Sequence, residues 1–213
     1  MDATHTALLL TGSVAAGALN ALAGGGSLVT LPILLAIGLP PTVANATNAV
    51  AAWSGLLGGS LRCRSLFAGS RAAVTRMAMV SLLGGAVGGG LMLATPDRAL
   101  AHLMPWLILL GTLCYLAAPR LVAQFGGADW DLARARDVFG WRGVVLFLAS
   151  VATGYFNPCG GVLMVTAFAA FGISDIRVAN ALKITMGMMM TGASVALFGF
   201  AGAVDWPEIG RDV

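Results

Sequence analysis

The sequence predicts an all-α integral membrane protein with two related halves, each containing a helix that is broken at a glycine-rich stretch. Three observations support this fold class. Of the 213 residues, 58% are hydrophobic and only 10% are charged, whereas a soluble domain is about 25% charged. The charged residues are confined to short intervals between long apolar runs. One apolar stretch also reappears in related form later in the chain.

Charge-free intervals predict the membrane-spanning helices, because a helix needs about 20 apolar residues to cross the bilayer core. Three intervals fit one helix each: 77–96, 99–119 and 184–204. The interval 3–61 holds two spans with residues to spare, and 143–174 is too long for one span and too short for two. Both of these unusual intervals contain a glycine cluster, which predicts broken helices within them.

The first cluster comprises Gly24, Gly25, Gly26 and Ser27. A half-helix over 27–38 would be about 18 Å long, which places its start near the middle of a roughly 30 Å bilayer core. Ser27 is expected to cap this half-helix. The free N–H groups of its first turn and its positive dipole end favour an anion, and the glycines allow a ligand to approach the backbone closely.

The second cluster lies in "YFNPCGG", residues 155–161. Asn157 is expected to cap a second half-helix that begins at Pro158, and Cys159, Gly160 and Gly161 follow directly. Two positive helix ends that face one cavity would form an anion site. The alternative for both clusters is close helix packing through small residues, which is the interpretation we favour for the separate run "GGAVGGG" at 84–90.

The two clusters belong to an internal repeat. The pair Gly25–Gly26 matches Gly160–Gly161, and "VANA" at Val43–Ala46 matches "VANA" at Val178–Ala181. Both offsets, 160 − 25 and 178 − 43, equal 135. Duplicated halves are typical of secondary transporters. We therefore predict a first repeat over 1–120 with a broken helix and three transmembrane helices, a cytoplasmic loop over 121–141, and an incomplete second repeat over 142–213 with a broken helix and one transmembrane helix.

Charge favours an inverted orientation of the two repeats. The loop after the first "VANA" helix carries Arg62, Arg64 and Arg71, which the positive-inside rule places in the cytoplasm. The corresponding region of the second half carries Asp205, Glu208 and one arginine. If each glycine cluster turns a re-entrant hairpin, the repeats are inverted, whereas simple kinks would make them parallel.

Polar residues at equivalent positions of the repeat are further candidates for the anion site. Asn45 matches Asn180, and Asn48 matches Lys183. Amides can donate to an oxyanion or bridge two helices, and we favour the site for Asn45 and Asn180. Lys183 either supplies a counter-charge to the anion or extends to the membrane surface. Thr47 is a weaker candidate, because its hydroxyl can bond to its own helix.

Cysteine and methionine open a second possibility. A thiol at a helix start has raised thiolate character, so Cys159 could exchange with a thiosulfate-like substrate, although a small residue in place of glycine is the simpler interpretation. The methionines could handle a soft metal, but flexible core filling explains them better. No metal site and no cofactor is predicted.

These motifs resemble the sulfite exporter TauE/SafE family of membrane permeases. The resemblance is carried by "GGGS" at 24–27, Pro32, "GLPP" at 38–41 and the Ala-x-Ala-Thr helix at 44–47. It implies an inner-membrane, multi-pass permease for sulfite, sulfonates or related organosulfur anions. The chain departs from the family pattern at Thr47–Asn48, at Leu182–Lys183 and at Cys159. Family members also normally continue beyond the second hairpin and its helix.

The expected partners are a small anion, the lipid bilayer and a second copy or other subunit that supplies the missing helices, but not nucleic acid. The alternatives to an anion permease are a soft-metal permease and an incomplete membrane subunit or scaffold. An enzyme is not expected, because no Ser-His-Asp, paired-carboxylate, P-loop or HExxH arrangement occurs.

Overall fold

The computed structural model describes residues 26–125, 140–173 and 175–202. This part of the chain is all-helical, as predicted, and the predicted loop 121–141 lies largely outside it. It contains seven α-helices and two short 3-10 segments: α1 (Ser27–Ala36), α2 (Pro41–Cys63), the 3-10 segment Arg64–Phe67, α3 (Arg71–Ala94), α4 (Asp97–Phe125), α5 (Trp141–Tyr155), the 3-10 segment Asn157–Cys159, α6 (Gly160–Ala170) and α7 (Ile176–Phe200).

Among the described residues, two helices are both long and apolar enough to cross a membrane. These are α3, with the qualifying segment Arg71–Ala94, and α7, with the segment Arg177–Phe200. They contain most of the charge-free intervals 77–96 and 184–204. The interval 99–119 lies within α4. The helices α1 and α6 are apolar but shorter, with 10 and 11 residues.

A glycine stripe on α3 brings this helix into direct backbone contact with α5 and α7. The stripe consists of Gly84, Gly85, Gly88 and Gly89, all of which are buried. A Cβ atom at Gly88 would lie 2.1 Å from the Val151 carbonyl oxygen. A Cβ atom at Gly85 would lie 2.2 Å from the Met190 carbonyl oxygen. The prediction that this run serves packing is therefore confirmed.

The helices α2 and α7 pack against each other in antiparallel directions. The Trp53 indole N–H donates to the Met188 carbonyl oxygen over 3.1 Å, and Gly59 lies against the Ile184 side chain. Nearer the start of α2, Ala49 shares a buried cluster with Phe198. Residue numbers therefore rise along α2 as those of its neighbours on α7 fall.

The helices α5 and α6 form a hairpin whose tip is the 3-10 segment Asn157–Cys159. The rings of Trp141, at the start of α5, and Phe171, just after α6, are 5.6 Å apart between centroids. The chain therefore returns to the end of the bundle from which it came. With 15 and 11 residues, the two helices are about 22 and 17 Å long, shorter than a bilayer core of roughly 30 Å.

The short helices α1 and α6 end in the same kind of turn. Gly38 has φ +93° and Gly172 has φ +88°, a left-handed conformation that glycine adopts without steric cost. The N–H of the residue after each glycine bonds to a carbonyl five residues earlier, Leu39 to Leu34 and Ile173 to Phe168. This is the Schellman pattern of helix termination.

Arginines collect at one end of the bundle, which we call the basic end. Arg62 lies at the end of α2, Arg71 and Arg142 at the starts of α3 and α5, and Arg177 at the start of α7. The opposite end holds Asp97 and one arginine, Arg98, at the start of α4, and the Asp97 carboxylate accepts a hydrogen bond from the Thr42 hydroxyl. This asymmetry is the one that orients membrane proteins.

Candidate functional site

The start of α1 meets the tip of the hairpin inside the bundle. The Asn157 amide nitrogen donates to the Ser27 hydroxyl oxygen over 3.3 Å. The amide oxygen of Asn157 accepts a bond of 3.3 Å from the Thr191 hydroxyl on α7. One side chain thus connects α1, the hairpin tip and α7, and it brings together two residues of the predicted site that are 130 positions apart.

The predicted capping roles of Ser27 and Asn157 are wrong. The cap position of α1 is Gly26, without a side-chain cap bond, and Ser27 is the first helical residue. Phe156, in an extended conformation, precedes a 3-10 segment that begins at Asn157, and α6 begins at Gly160 rather than at Pro158. The two polar side chains bond to each other across the tip instead of to their own helix starts.

Two amides of α2 flank this meeting point, and they have different partners. The Asn45 amide nitrogen donates to the Tyr155 carbonyl oxygen over 3.1 Å, at the last residue of α5. Carbonyl groups in the last turn of a helix lack partners within that helix, so Asn45 stabilises the end of α5. The amide oxygen of Asn48 accepts a hydrogen bond from the Thr30 hydroxyl in the first turn of α1.

Both amides retain one unused polar atom. Among the described residues, the Asn48 amide nitrogen and the Asn45 amide oxygen are buried without a hydrogen-bond partner, and each side chain is only 1% exposed. A buried polar group without a partner costs about 1–3 kcal/mol. Asn48 therefore holds an unused pair of N–H donors one turn from the start of α1, where a ligand with acceptor oxygens could satisfy them.

The electrostatic character of the site comes from helix ends. The 3-10 segment Asn157–Cys159 runs directly into α6, and the Gly160 backbone N–H bonds to the Asn157 carbonyl oxygen. The start of α1 and the start of this 3-10 segment are therefore the helix ends that offer backbone N–H groups and a partial positive charge. The carboxylates of the described residues are Asp97 and Asp175. Asp97 bonds to Thr42 at the opposite end of the bundle, and Asp175 caps the start of α7 at the basic end. Within the described residues, the site is therefore rich in donors and free of acidic groups, which suits a small anion.

For several residues of the predicted anion site, the structure gives no contact with Ser27, Asn157 or Thr191. Gly24 and Gly25 lie outside the described residues, as does the side chain of Cys159. Gly161 is the second residue of α6. A Cβ atom at Gly160 would lie 2.3 Å from the Thr153 side chain, so the small size of Gly160 serves the packing of the hairpin.

Three further candidates lie away from the tip. Thr47 is about 100° around α2 from Asn48, since successive helical residues are about 100° apart. Asn180 and Lys183 lie on α7 between its start and Thr191. Their separations from Thr191 of 11 and 8 residues correspond to about 16 and 12 Å along the helix. The structure therefore brings Asn45 and Asn48 to the tip and leaves their repeat equivalents nearer the basic end.

Two hydroxyl residues at the site were not among the sequence-based candidates. Thr30 follows Ser27 by three residues, and this spacing puts both on one side of a helix. Thr191 is 2% exposed and follows a run of three methionines. A hydroxyl in an apolar span was the available signal, but Thr185 and Ser194 in the same span give the same signal, and the contact of Thr191 with Asn157 depends on how the helices pack.

An apolar groove of about 300 Å³ lies beside the hairpin tip and is distinct from the polar site described above. It is lined by side chains of α3 to α6, including Leu91, Leu110, Leu148 and Leu163, and it reaches Phe156. These side chains offer no donors to an anion, and the Tyr155 hydroxyl, which also lines the groove, is paired with the Thr95 hydroxyl over 3.2 Å. Among the described residues, no group of three or more His, Cys, Asp or Glu side chains could hold a metal ion.

Known proteins similar to this chain are membrane proteins. The family described as "Sulfite exporter TauE/SafE" matches residues 8–210. A probable membrane transporter protein of Haemophilus influenzae is 29% identical over 94% of this chain and 76% of its own length. Probable membrane transporter protein YfcA of Escherichia coli K12 is 26% identical over 90% of this chain and 69% of its own length. No solved structure gives a significant match.

Proposed function

Because the chain belongs to the sulfite exporter TauE/SafE family, we propose that it is a permease for small sulfur oxyanions. The family and the names of its relatives indicate a membrane transporter. We infer further that the cargo is sulfite, a sulfonate or another organosulfur anion, bound where α1 and α6 begin. The relatives are named as transporters rather than enzymes, and we expect no catalytic chemistry.

The contact between Ser27 and Asn157 carries this proposal. It joins the starts of two half-helices in the interior of the bundle, where broken backbone is tolerated in a membrane protein only if it is buried or lines a cavity. Helix starts bind anions through free N–H groups and the positive end of the dipole. The unused amide nitrogen of Asn48 adds donors next to them.

The packing of α2 against α7 supports an inverted repeat. The offset of 135 takes α2 (Pro41–Cys63) to residues 176–198, which lie within α7 (Ile176–Phe200). These equivalent helices pack in antiparallel directions. Trp53 bonds to Met188, its own equivalent under the offset (188 − 53 = 135). Equivalent residues that touch each other are expected at the axis that relates two repeats, and an axis in the membrane plane gives inverted repeats.

We propose that transport occurs by alternating access around the meeting point of the half-helices. In transporters with inverted repeats, substrates bind near the bilayer midplane between discontinuous helices. Here the two half-helices start at the tip and run to opposite ends of the bundle. The basic end, with Arg62, Arg71, Arg142 and Arg177, would face the cytoplasm of a bacterial inner membrane.

The test is ligand-induced thermal stabilisation of the detergent-purified protein. The ligands are sulfite, thiosulfate, methanesulfonate, chloride, and silver and copper ions. A ligand at 100 times its Kd stabilises the folded state by about 2.7 kcal/mol, so we expect stabilisation by at least one sulfur oxyanion. Chloride at equal ionic strength controls for general salt effects.

Two variants of Asn157 distinguish the effect of an added charge on anion binding from the effect of lost hydrogen bonds. Asn157→Asp keeps the acceptor for the Thr191 hydroxyl and replaces the donor to Ser27 with a second acceptor, to which the Ser27 hydroxyl can donate. It adds a negative charge, so it should abolish stabilisation by anions. Asn157→Ala loses both hydrogen bonds without adding charge, and anion binding should be weakened about tenfold. Equal anion binding by wild type and Asn157→Asp would refute this site, and stabilisation by soft metals alone would favour a metal permease.

A further inference from the structure

Lys183 is a buried cation that the tip does not use. Its side chain is only 5% exposed, and it lies in the apolar segment Arg177–Phe200 that is long enough to cross a membrane. No hydrogen bond or ion pair involves Lys183 among the described residues. An ionisable residue within a membrane is costly and normally faces a water-filled cavity or pairs with an opposite charge.

No carboxylate of the described residues can neutralise Lys183. Asp97 bonds to Thr42 at the opposite end of the bundle. Asp175 accepts a hydrogen bond from the backbone N–H of Arg177 over 2.8 Å. It precedes Lys183 by eight residues, which is about 12 Å along a helix. Since the described residues supply no counter-charge, a diffusible anion could take that role for this ammonium group.

A second unsatisfied group lies at a similar depth on α6. The Thr166 hydroxyl is buried, and it has no hydrogen-bond partner in the part of the chain that the structure describes. It is six residues beyond the start of α6 at Gly160, about 9 Å from the tip, and Lys183 is about 12 Å from Thr191 along α7. Both lie on the basic-end side of the tip. The oxygens of an anion could accept hydrogen bonds from an ammonium and from a hydroxyl at this level.

The position of Lys183 on α7 connects it with the tip. Asn180, Lys183, Gly187 and Thr191 follow at spacings of three, four and four residues, which puts them on one side of the helix. Thr191 bonds to Asn157 at the tip. This side of α7 therefore carries polar groups from the tip toward the basic end.

The repeat equivalent of Lys183 has no charge. Position 48 holds Asn48, whose amide oxygen is held by Thr30. The offset of 135 takes Thr30 to Val165, so the hydroxyl partner is missing where the cation is present. At this pair of equivalent positions, only the one nearer the basic end carries a positive charge.

We propose that Lys183 forms a second anion position, on the basic-end side of the tip and separate from the site at Asn157. This inference rests on the proposed permease function. An anion that leaves the tip toward the basic end is held by the Lys183 ammonium before it reaches water, with Thr166 as an additional donor. Multiple sites along the path allow an ion to bind and still leave quickly.

The test measures saturable sulfite flux from each face of the membrane separately. Inside-out and right-side-out vesicles containing the full chain are compared for wild type, Lys183→Met and Lys183→Arg. For Lys183→Met we expect the KM for sulfite at the basic-end face to rise about tenfold, while the KM at the opposite face changes less than twofold. Lys183→Arg should stay within about threefold of wild type at both faces.

Different outcomes reject different claims. An unchanged KM for Lys183→Met at both faces would overturn the second position, as would an equal loss at both faces together with a lower unfolding temperature. Lys183→Asn, which copies position 48, serves as the neutral variant if Lys183→Met does not fold. A wild-type protein without saturable sulfite flux would instead overturn the permease function and this inference together.

Discussion

The glycine stripe of α3 and the hairpin tip between α5 and α6 both lie in the interior of the bundle, and each contains or adjoins a pair of consecutive glycines. In the stripe, backbone lies against backbone, and a Cβ atom at Gly88 would lie 2.1 Å from the Val151 carbonyl oxygen. At the break, the polar side chains of Ser27, Asn157 and Thr191 occupy the space between helix ends. The comparison teaches that small residues serve packing in both places, since Gly160 also packs closely, against Thr153, and that only the helix ends add polar side chains that bond across the gap.

The largest effect that this comparison predicts is on stability. Gly88→Ala should lower the free energy of unfolding by about 3 kcal/mol or more, at the upper end of the range for overpacking, because the atoms in the way belong to the backbone of α5. The measurement is the thermal unfolding of the purified protein in detergent.

Gly90→Ala, two residues along the same helix, is the matched control. A Cβ atom at Gly90 would meet nothing within 4 Å, so this variant should be unchanged or more stable by about 0.5–1 kcal/mol. Equal destabilisation by both variants would contradict a packing role that is specific to the stripe.

A smaller effect is expected at Asn45, which lies at the break but bonds to backbone. Asn45→Leu removes the donor to the Tyr155 carbonyl oxygen and leaves that acceptor unsatisfied, at a cost of about 1–3 kcal/mol. Part of this cost is offset, because the unpartnered Asn45 amide oxygen is removed as well. The unfolding temperature should fall, whereas the Kd for the stabilising anion should change little. If anion binding is lost while stability is kept, Asn45 contacts the ligand and the division of roles between Asn45 and Asn48 is wrong.

The sequence was sufficient for the features that depend on local composition. The charge-free intervals predicted α3 and α7, and the clusters at 24–27 and 157–161 predicted where the short helices α1 and α6 begin to within two or three residues. A charge-free interval is required by the surrounding lipid, and a glycine run is required where another backbone lies close. Both requirements act on consecutive residues, so both can be recognised in the sequence.

The partners of individual side chains could not be predicted in the same way. Ser27 and Asn157 have good capping chemistry, but each finds a partner 130 residues away. The bond between Thr191 and Asn157 depends on how far the hairpin reaches along α7, which no local pattern records. Asn45 and Asn180 occupy equivalent positions in the sequence, yet only Asn45 reaches the end of α5.

The central claim is that the starts of the two half-helices meet, and cysteine cross-linking tests it most directly. Ser27→Cys and Asn157→Cys are combined in a chain whose native cysteines, Cys63, Cys114 and Cys159, are replaced by alanine. A short bifunctional thiol reagent is added, and a protease site within 126–139 separates the two halves on a gel. Ser27→Cys with Asn180→Cys is the control pair, because Asn180 is about 16 Å from Thr191 along α7.

The account predicts that the 27–157 pair joins the two halves, that the 27–180 pair does not, and that a stabilising anion slows the reaction of the first pair. Failure of the 27–157 pair to cross-link, or equal cross-linking of both pairs, would contradict the meeting of the half-helices on which the proposed anion site depends.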